Sequence, residues 1–183
     1  MNTSLITIVL LAQSNAEIIA TVVLAIVAVI SLIFGIYQNR MRTKESQSEI
    51  VTTLLDKFRK DSSMQSFFQK IDYGKPWYGP QFLNSSIESI ADNTFSYFEN
   101  VLLNKEKGVL KEDDFTFFKY YIDRIVRNGD TQTYFFNLYH FTQRVNQTFP
   151  YQRLVNYAKN NGFLDVDEFE KRDSVMFKKV LNF

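Results

Sequence analysis

The sequence predicts an all-α protein, with one transmembrane helix near the N-terminus, then a cytoplasmic multi-helix bundle and no sheet. Three observations carry this. Residues 18–37, IIATVVLAIVAVISLIFGIY, run for twenty positions without a charge, an amide side chain or a proline. Downstream, apolar residues recur at three- and four-residue spacing between cap-like residues and Gly- or Pro-containing breaks. No segment alternates apolar and polar residues between hairpin turns, as a strand would.

Twenty helical residues cover about 30 Å, the hydrocarbon thickness of a bilayer. A buried helix in a soluble domain of this size would carry a polar face, and this stretch has none. Arg40, Arg42 and Lys44 follow it directly, whereas only Glu17 precedes it. By the positive-inside rule the N-terminus is expected outside and the remainder in the cytoplasm. Residues 1–16 contain a short apolar run and a weak small-x-small pattern at Ser14-Asn15-Ala16, but no basic residue ahead of them. They read as an extracytoplasmic tail rather than a cleaved signal. The expected organisation is a tail over 1–17, the anchor over 18–37, a polar stalk over 38–49 and a helical domain over 50–183. On the anchor, Thr21, Ala25, Ala28, Ser31 and Gly35 share one side, and Ser31 with Gly35 is a small-x-x-x-small pair. This stripe is the expected route to homo-oligomers in the lipid bilayer, although Leu24 and Leu32 lie on the same side.

Composition limits the chemistry. From residue 45 onward there are 18 Lys and Arg against 19 Asp and Glu, a net charge of −1. Such an interspersed surface has no electrostatic footprint for nucleic acid, and none is predicted as a partner. Cysteine is absent and there is one histidine, so disulfides, zinc fingers and iron–sulfur clusters are excluded. No cofactor or metal is predicted. Phe and Tyr together number 28, enough for a large aromatic core or for a core plus a partner surface.

No Gly or Pro occurs between Gly35 and Gly74, so the anchor helix can continue through the stalk to the apolar set Ile50, Leu54, Leu55 and Phe58. Asp61-Ser62-Ser63 can cap a segment with Met64, Phe67, Phe68 and Ile71, either a kinked continuation or a separate helix. Residues 72–84, DYGKPWYGPQFLN, hold two of the three prolines and the only Trp. This irregular stretch is either a plug whose aromatics close the end of the bundle or a recognition loop presenting Trp77 and Tyr78. Ser85 and Glu88 form a capping box for a helix with Ile87, Ile90, Ala91, Phe95, Phe98 and Leu102 on its buried face. The acids at 112–114 suit the start of the next helix, whose stripe is Phe115, Phe118, Ile122, Ile125 and Val126. Asn128-Gly129 ends it. Asp130 is expected to cap a helix bearing Tyr134, Phe135, Leu138, Phe141 and Val145. Pro150 is expected as the first residue of another, closed by Asn161-Gly162. Asp165 or Asp167 would cap a last helix carrying Phe169, Met176 and Val180.

No Walker loop, dinucleotide fingerprint or nucleophile elbow is present. His140 lacks a Ser-His-Asp context. Glu88, Asp92 and Glu99 share a helix and could hold a divalent metal, but the usual second-helix Glu-x-x-His set is missing, so a cap and a solvated face is the preferred reading. Arg124 and Arg127, three apart, could clamp a phosphate or carboxylate; salt bridges to neighbouring helices, to Asp92 or Asp123, are preferred.

LLDKFR (54–59), KIDYG (70–74), FFKYYIDRI (117–125) and PYQRLVNYAKNNG (150–162) give the region from Ile50 to Gly162 its character. In these and in its layout the chain resembles a group of uncharacterised bacterial proteins with a membrane anchor and a small cytoplasmic helical domain. Some of that group are labelled phage abortive infection proteins. The resemblance implies a bacterial inner-membrane location and a link to phage defence, and it supplies no active-site residues. The reading is a non-enzymatic single-pass protein whose helical domain binds itself or an unknown protein partner. The candidate contact residues are Trp77, Tyr78, Arg124 and Arg127. Alternatives are an accessory subunit of a membrane complex unrelated to defence, or a metal-dependent enzyme.

Overall fold

The computed structural model describes residues 3–174 and 176–177, with side chains described except at 3–20, 22, 23, 25, 40 and 42–47. Among the described residues there are seven helices and no strand, so the chain is all-α as predicted. They are α1 (Thr3–Lys60), α2 (Ser62–Asp72), α3 (Ser86–Glu106), α4 (Glu112–Arg127), α5 (Gly129–Arg144), α6 (Gln152–Asn160) and α7 (Val166–Glu170). The chain divides into two units, Met1–Glu49 and Ile50–Phe183.

In the first unit, ten large apolar side chains of α1 between Leu24 and Tyr37 are 51–69% exposed. Among the described residues, no helix is long and apolar enough to cross a membrane. The apolar run from Leu24 to Tyr37 measures about 21 Å at the helical rise.

In the second unit the helices close around an aromatic core. Phe58, only 1% exposed, meets the rings of Phe68, Tyr97, Phe98 and Tyr121 at centroid distances of 4.8–6.1 Å. Three of these contacts are edge-to-face and the one with Tyr97 is stacked, packing that adds to the burial term. Helix α2 lies on α3 and α4, α6 lies on α3 and α4, and α5 packs against α4. Each apolar stripe read from the sequence for α2, α3 and α4 supplies buried residues.

Local signals set most helix boundaries. The Asp61 carboxylate accepts the amides of Ser63 and Met64, so α2 is a separate helix and not a kinked continuation. Ser85 caps α3 through the Glu88 amide, and Glu88 reaches back to the Asn84 amide at 2.5 Å. This is a capping box displaced by one residue, because the Ser85 amide already donates to the Phe82 carbonyl.

Three boundaries differ from expectation. Asn128, not Asp130, caps α5: its side-chain oxygen accepts the Thr131 amide at 3.0 Å. Pro150 lies outside α6, which starts at Gln152. Tyr151 is drawn out of helical geometry (φ −110°, ψ 39°) while its phenol donates to Asp92. The last helix is a five-residue piece capped by Asp165, and Lys171 leaves it extended (φ −78°, ψ 116°). Phe169 is buried, Met176 is exposed, and Val180 lies outside the described residues.

Candidate functional site

Three of the four contact residues read from the sequence meet at one seam, where residues 72–84 lie against the α4–α5 junction. The seam is built from the end of α2. Gly74 turns back with a left-handed φ of +63°, its amide donates to Ile71, and the Lys75 amide donates to Lys70. Glycine suits this position because it carries no Cβ. Residues 75–78 then form neither helix nor strand, so the backbone donors of Trp77 and Tyr78 need outside acceptors. Asp130 provides both, with Oδ2 accepting the Trp77 amide at 2.7 Å and the Tyr78 amide at 3.2 Å. The Trp77 indole N–H donates to Asn128 Oδ1 at 3.2 Å.

Trp77 and Tyr78 are both buried. The indole meets Phe67, Phe82, Phe95 and Tyr134 at 4.9–5.8 Å. Both rings are turned into the core, not presented to solvent as a recognition loop would present them. The reason is that Phe67, Phe95 and Tyr134 form an apolar bed and Asn128 satisfies the one polar atom of the indole. The Tyr78 hydroxyl is buried and makes no hydrogen bond of ordinary geometry. Burial pushes its pKa up, and the nearby Asn137 side chain offsets a little of that. Open grooves of about 550 Å³ and 410 Å³ lie on two sides of Tyr78, the first bounded by Pro76 and Ile87 and the second by Thr133 and Phe177.

Arg124 belongs to the same seam. Its Nε donates to Asp72 Oδ1 at 2.6 Å, its Nη2 donates to the Asp72 carbonyl, and the Tyr120 hydroxyl reaches the same carboxylate at 2.9 Å. The partner is therefore Asp72, not Asp92 or Asp123. Arg124 is nearly half exposed, so the ion pair positions more than it stabilises. Arg127 goes elsewhere and stacks on the Phe163 ring at 3.9 Å. The two guanidinium groups have separate partners and form no joint anion clamp.

The acidic residues of α3 are engaged in holding helices. Asp92 Oδ1 accepts the hydroxyls of Tyr134 and Tyr151 at 2.6 and 2.9 Å. Burial above all holds both phenols well above their usual range, and the Asp92 carboxylate adds to it, so they remain donors. Glu99 is only 9% exposed, contrary to the solvated face expected for it. Its oxygens accept the amides of Arg153 at 2.9 Å and Leu154 at 3.0 Å. His140 packs its ring on Phe136 and hydrogen-bonds through Nε2 to the Phe169 carbonyl at 3.1 Å. Among the described residues, no three acidic or histidine side chains converge as a metal site requires.

On α1, Thr21, Ala28, Ser31 and Gly35 lie on exposed surface. The side chains of Ala25, Arg40, Arg42 and Lys44 lie outside the described residues. The chain matches no known protein-family model, no curated protein and no solved structure.

Sequence reasoning did not find Asp72, Asn128 and Asp130 as the residues that organise the seam. A signal existed in Asn128-Gly129-Asp130, where one Asn ends a helix and caps the next, which leaves the following acid available for another task.

Proposed function

We propose that the chain is a single-pass protein of the bacterial inner membrane, held by Ile18–Tyr37 and bearing a non-enzymatic binding module on the cytoplasmic side. The observation that carries this is the exposure of large apolar side chains at Ile26, Val27, Val29, Ile30, Leu32, Ile33, Phe34, Ile36 and Tyr37. Neighbouring positions step by about 100° around a helix, so these side chains face every direction. A folded partner covers one face of a helix, whereas a bilayer covers all of them. The described run is shorter than a bilayer core, and Ile18–Val23 supply the remaining length on sequence alone. Orientation rests on Arg40, Arg42 and Lys44.

The binding role is supported by what the polar side chains do. Asp72, Asp92, Glu99, Asn128 and Asp130 are each engaged in joining elements of the bundle. Self-assembly would run through the small-residue side of α1, and the link to phage defence rests on the resemblance in sequence motifs and layout alone. Alkaline carbonate extraction of bacterial membranes expressing the full chain, followed by protease treatment of spheroplasts and inverted vesicles, tests the first half. The chain should stay in the pellet and be cleaved only in inverted vesicles; release into the supernatant rejects the anchor. Crosslinking in the same membranes should recover the chain with itself or a second protein, and recovery of monomer alone rejects the binding role.

A further inference from the structure

We propose that the outer face of α4 is a docking surface for a second copy of this chain, the two α4 helices running antiparallel about a two-fold axis. Asp113, Phe117, Tyr120 and Arg124 follow one another at steps of four, three and four residues, the a and d spacing of a helix–helix seam. At about 100° per residue they fall within about 60° of arc, on the side away from the buried stripe of Phe115, Phe118, Ile122, Ile125 and Val126. Phe117 and Tyr120 are 57% and 55% exposed, so the stripe turned away from the core is aromatic at its centre.

The face is complementary to itself. Asp113 with Arg124, and Phe117 with Tyr120, are centred on the same point, between Phe118 and Lys119. A two-fold axis through that point sets Phe117 of each copy against Tyr120 of the other, and Asp113 of each against Arg124 of the other. A parallel pairing would set Asp113 on Asp113 and Arg124 on Arg124, like charges that repel. Both charged ends are open to a partner. Asp113 is exposed, and no hydrogen bond or ion pair joins its carboxylate to another side chain among the described residues. Arg124 gives Nε and Nη2 to Asp72 and retains Nη1, much as Arg153 divides its guanidinium between Glu99 and Glu106. Asp72 also holds the Tyr120 hydroxyl, so half of the seam is positioned before a copy arrives. One helix seam is a small interface, and the shared membrane of the anchor reading supplies the effective concentration. The inference rests on the binding role proposed above and names its partner and its surface.

Disulfide crosslinking of the full chain in bacterial membranes tests it. The sequence has no cysteine, so each variant carries a single thiol. In the antiparallel seam the two copies of position 117 are offset by three residues, about 4.5 Å along the helices, within reach of a disulfide. The two copies of position 113 are about 16 Å apart. Under an added oxidant, Phe117→Cys should therefore link to itself at least about tenfold faster than Asp113→Cys. Asp113→Arg added to Phe117→Cys should slow that linking about tenfold, by setting like charges against each other at both ends, and Asp113→Glu should not. Equal rates at the two positions, faster linking at position 113, or a rate at position 117 that ignores Asp113→Arg overturns the proposal. Dimers recovered with an amine-reactive crosslinker but not through Phe117→Cys overturn the α4 seam and leave the binding role standing. Recovery of monomer alone with both reagents overturns the two together.

Discussion

At the N-terminus of α6 the amides of Arg153 and Leu154 have no acceptor within their own helix, and Glu99 of α3 accepts both. The Arg153 guanidinium bridges the same carboxylate to Glu106. Glu99→Ala should therefore cost about 2–3 kcal/mol in urea unfolding at neutral pH, because it strands two amides. A loss below about 0.5 kcal/mol would show that water replaces the carboxylate. Burial raises the pKa of Glu99 above its ordinary 4.5, against the pull of the Arg153 and Leu154 hydrogen bonds. The folded state then holds this proton more tightly than the unfolded chain. The corresponding stability is fully present below 4.5 and is lost as pH rises through the folded value. The stability of the unaltered protein minus that of Glu99→Gln should fall with rising pH over this window; a flat difference would contradict it. The placement was legible in part. Glu99 follows Phe95 by four positions, adjoins Phe98 and precedes Leu102 by three, which puts it on the buried face. The amides it would meet come from a helix 54 residues away, and local spacing carries no record of them.

The α4–α5 junction depends on one residue shared by three elements. Asn128 ends α4, caps α5 through the Thr131 amide, accepts the Trp77 indole proton and donates to the last-turn carbonyl of Ile71. Asn128→Ala should cost about 2–3 kcal/mol, a cap of about 1 plus a buried indole N–H left unpaired. Asn128→Asp, which keeps the acceptor, should restore most of it in the same urea titration. Equal losses in the two variants would mean that the shape of the amide matters and its oxygen does not. The sequence marked a break here correctly, because Asn-Gly is a strong helix terminator. It placed the cap at Asp130 because both residues favour that position, and only the approach of the Trp77 segment decides between them. The direction of Trp77 was illegible for the same reason: a Gly- and Pro-rich loop gives no periodicity from which to read a buried face.

For the molecule as a whole, the core cluster starts at Val51, and its partly buried rim at Ile50. A chain beginning at Ile50 keeps every described core residue. It should fold cooperatively in water and melt within about 5 °C of the full chain, measured by circular dichroism, since a shift of that size corresponds to only about 1 kcal/mol. Loss of a cooperative transition would assign the first unit a part in the stability of the second. The helical class and the stripes of α2, α3 and α4 were legible because amphipathic periodicity is a local property. The aromatic load was legible as quantity, whereas the pairing of rings across α1, α2, α3 and α4 around Phe58 depends on packing that no single helix encodes.

Trp77 is the single tryptophan in the chain, alongside ten tyrosines, and it sits at the seam between the loop, α2, α3 and α5. Excitation at the red edge of aromatic absorption therefore interrogates one place in the protein and no other. Tyr78 and Tyr134, with rings 5.7 and 5.8 Å from the indole, are close enough to hand it their excitation. The protein thus carries its own optical gauge. A ligand or partner that touches this seam will shift the colour and lifetime of the emitted light, and one that docks elsewhere without disturbing it will leave both unchanged.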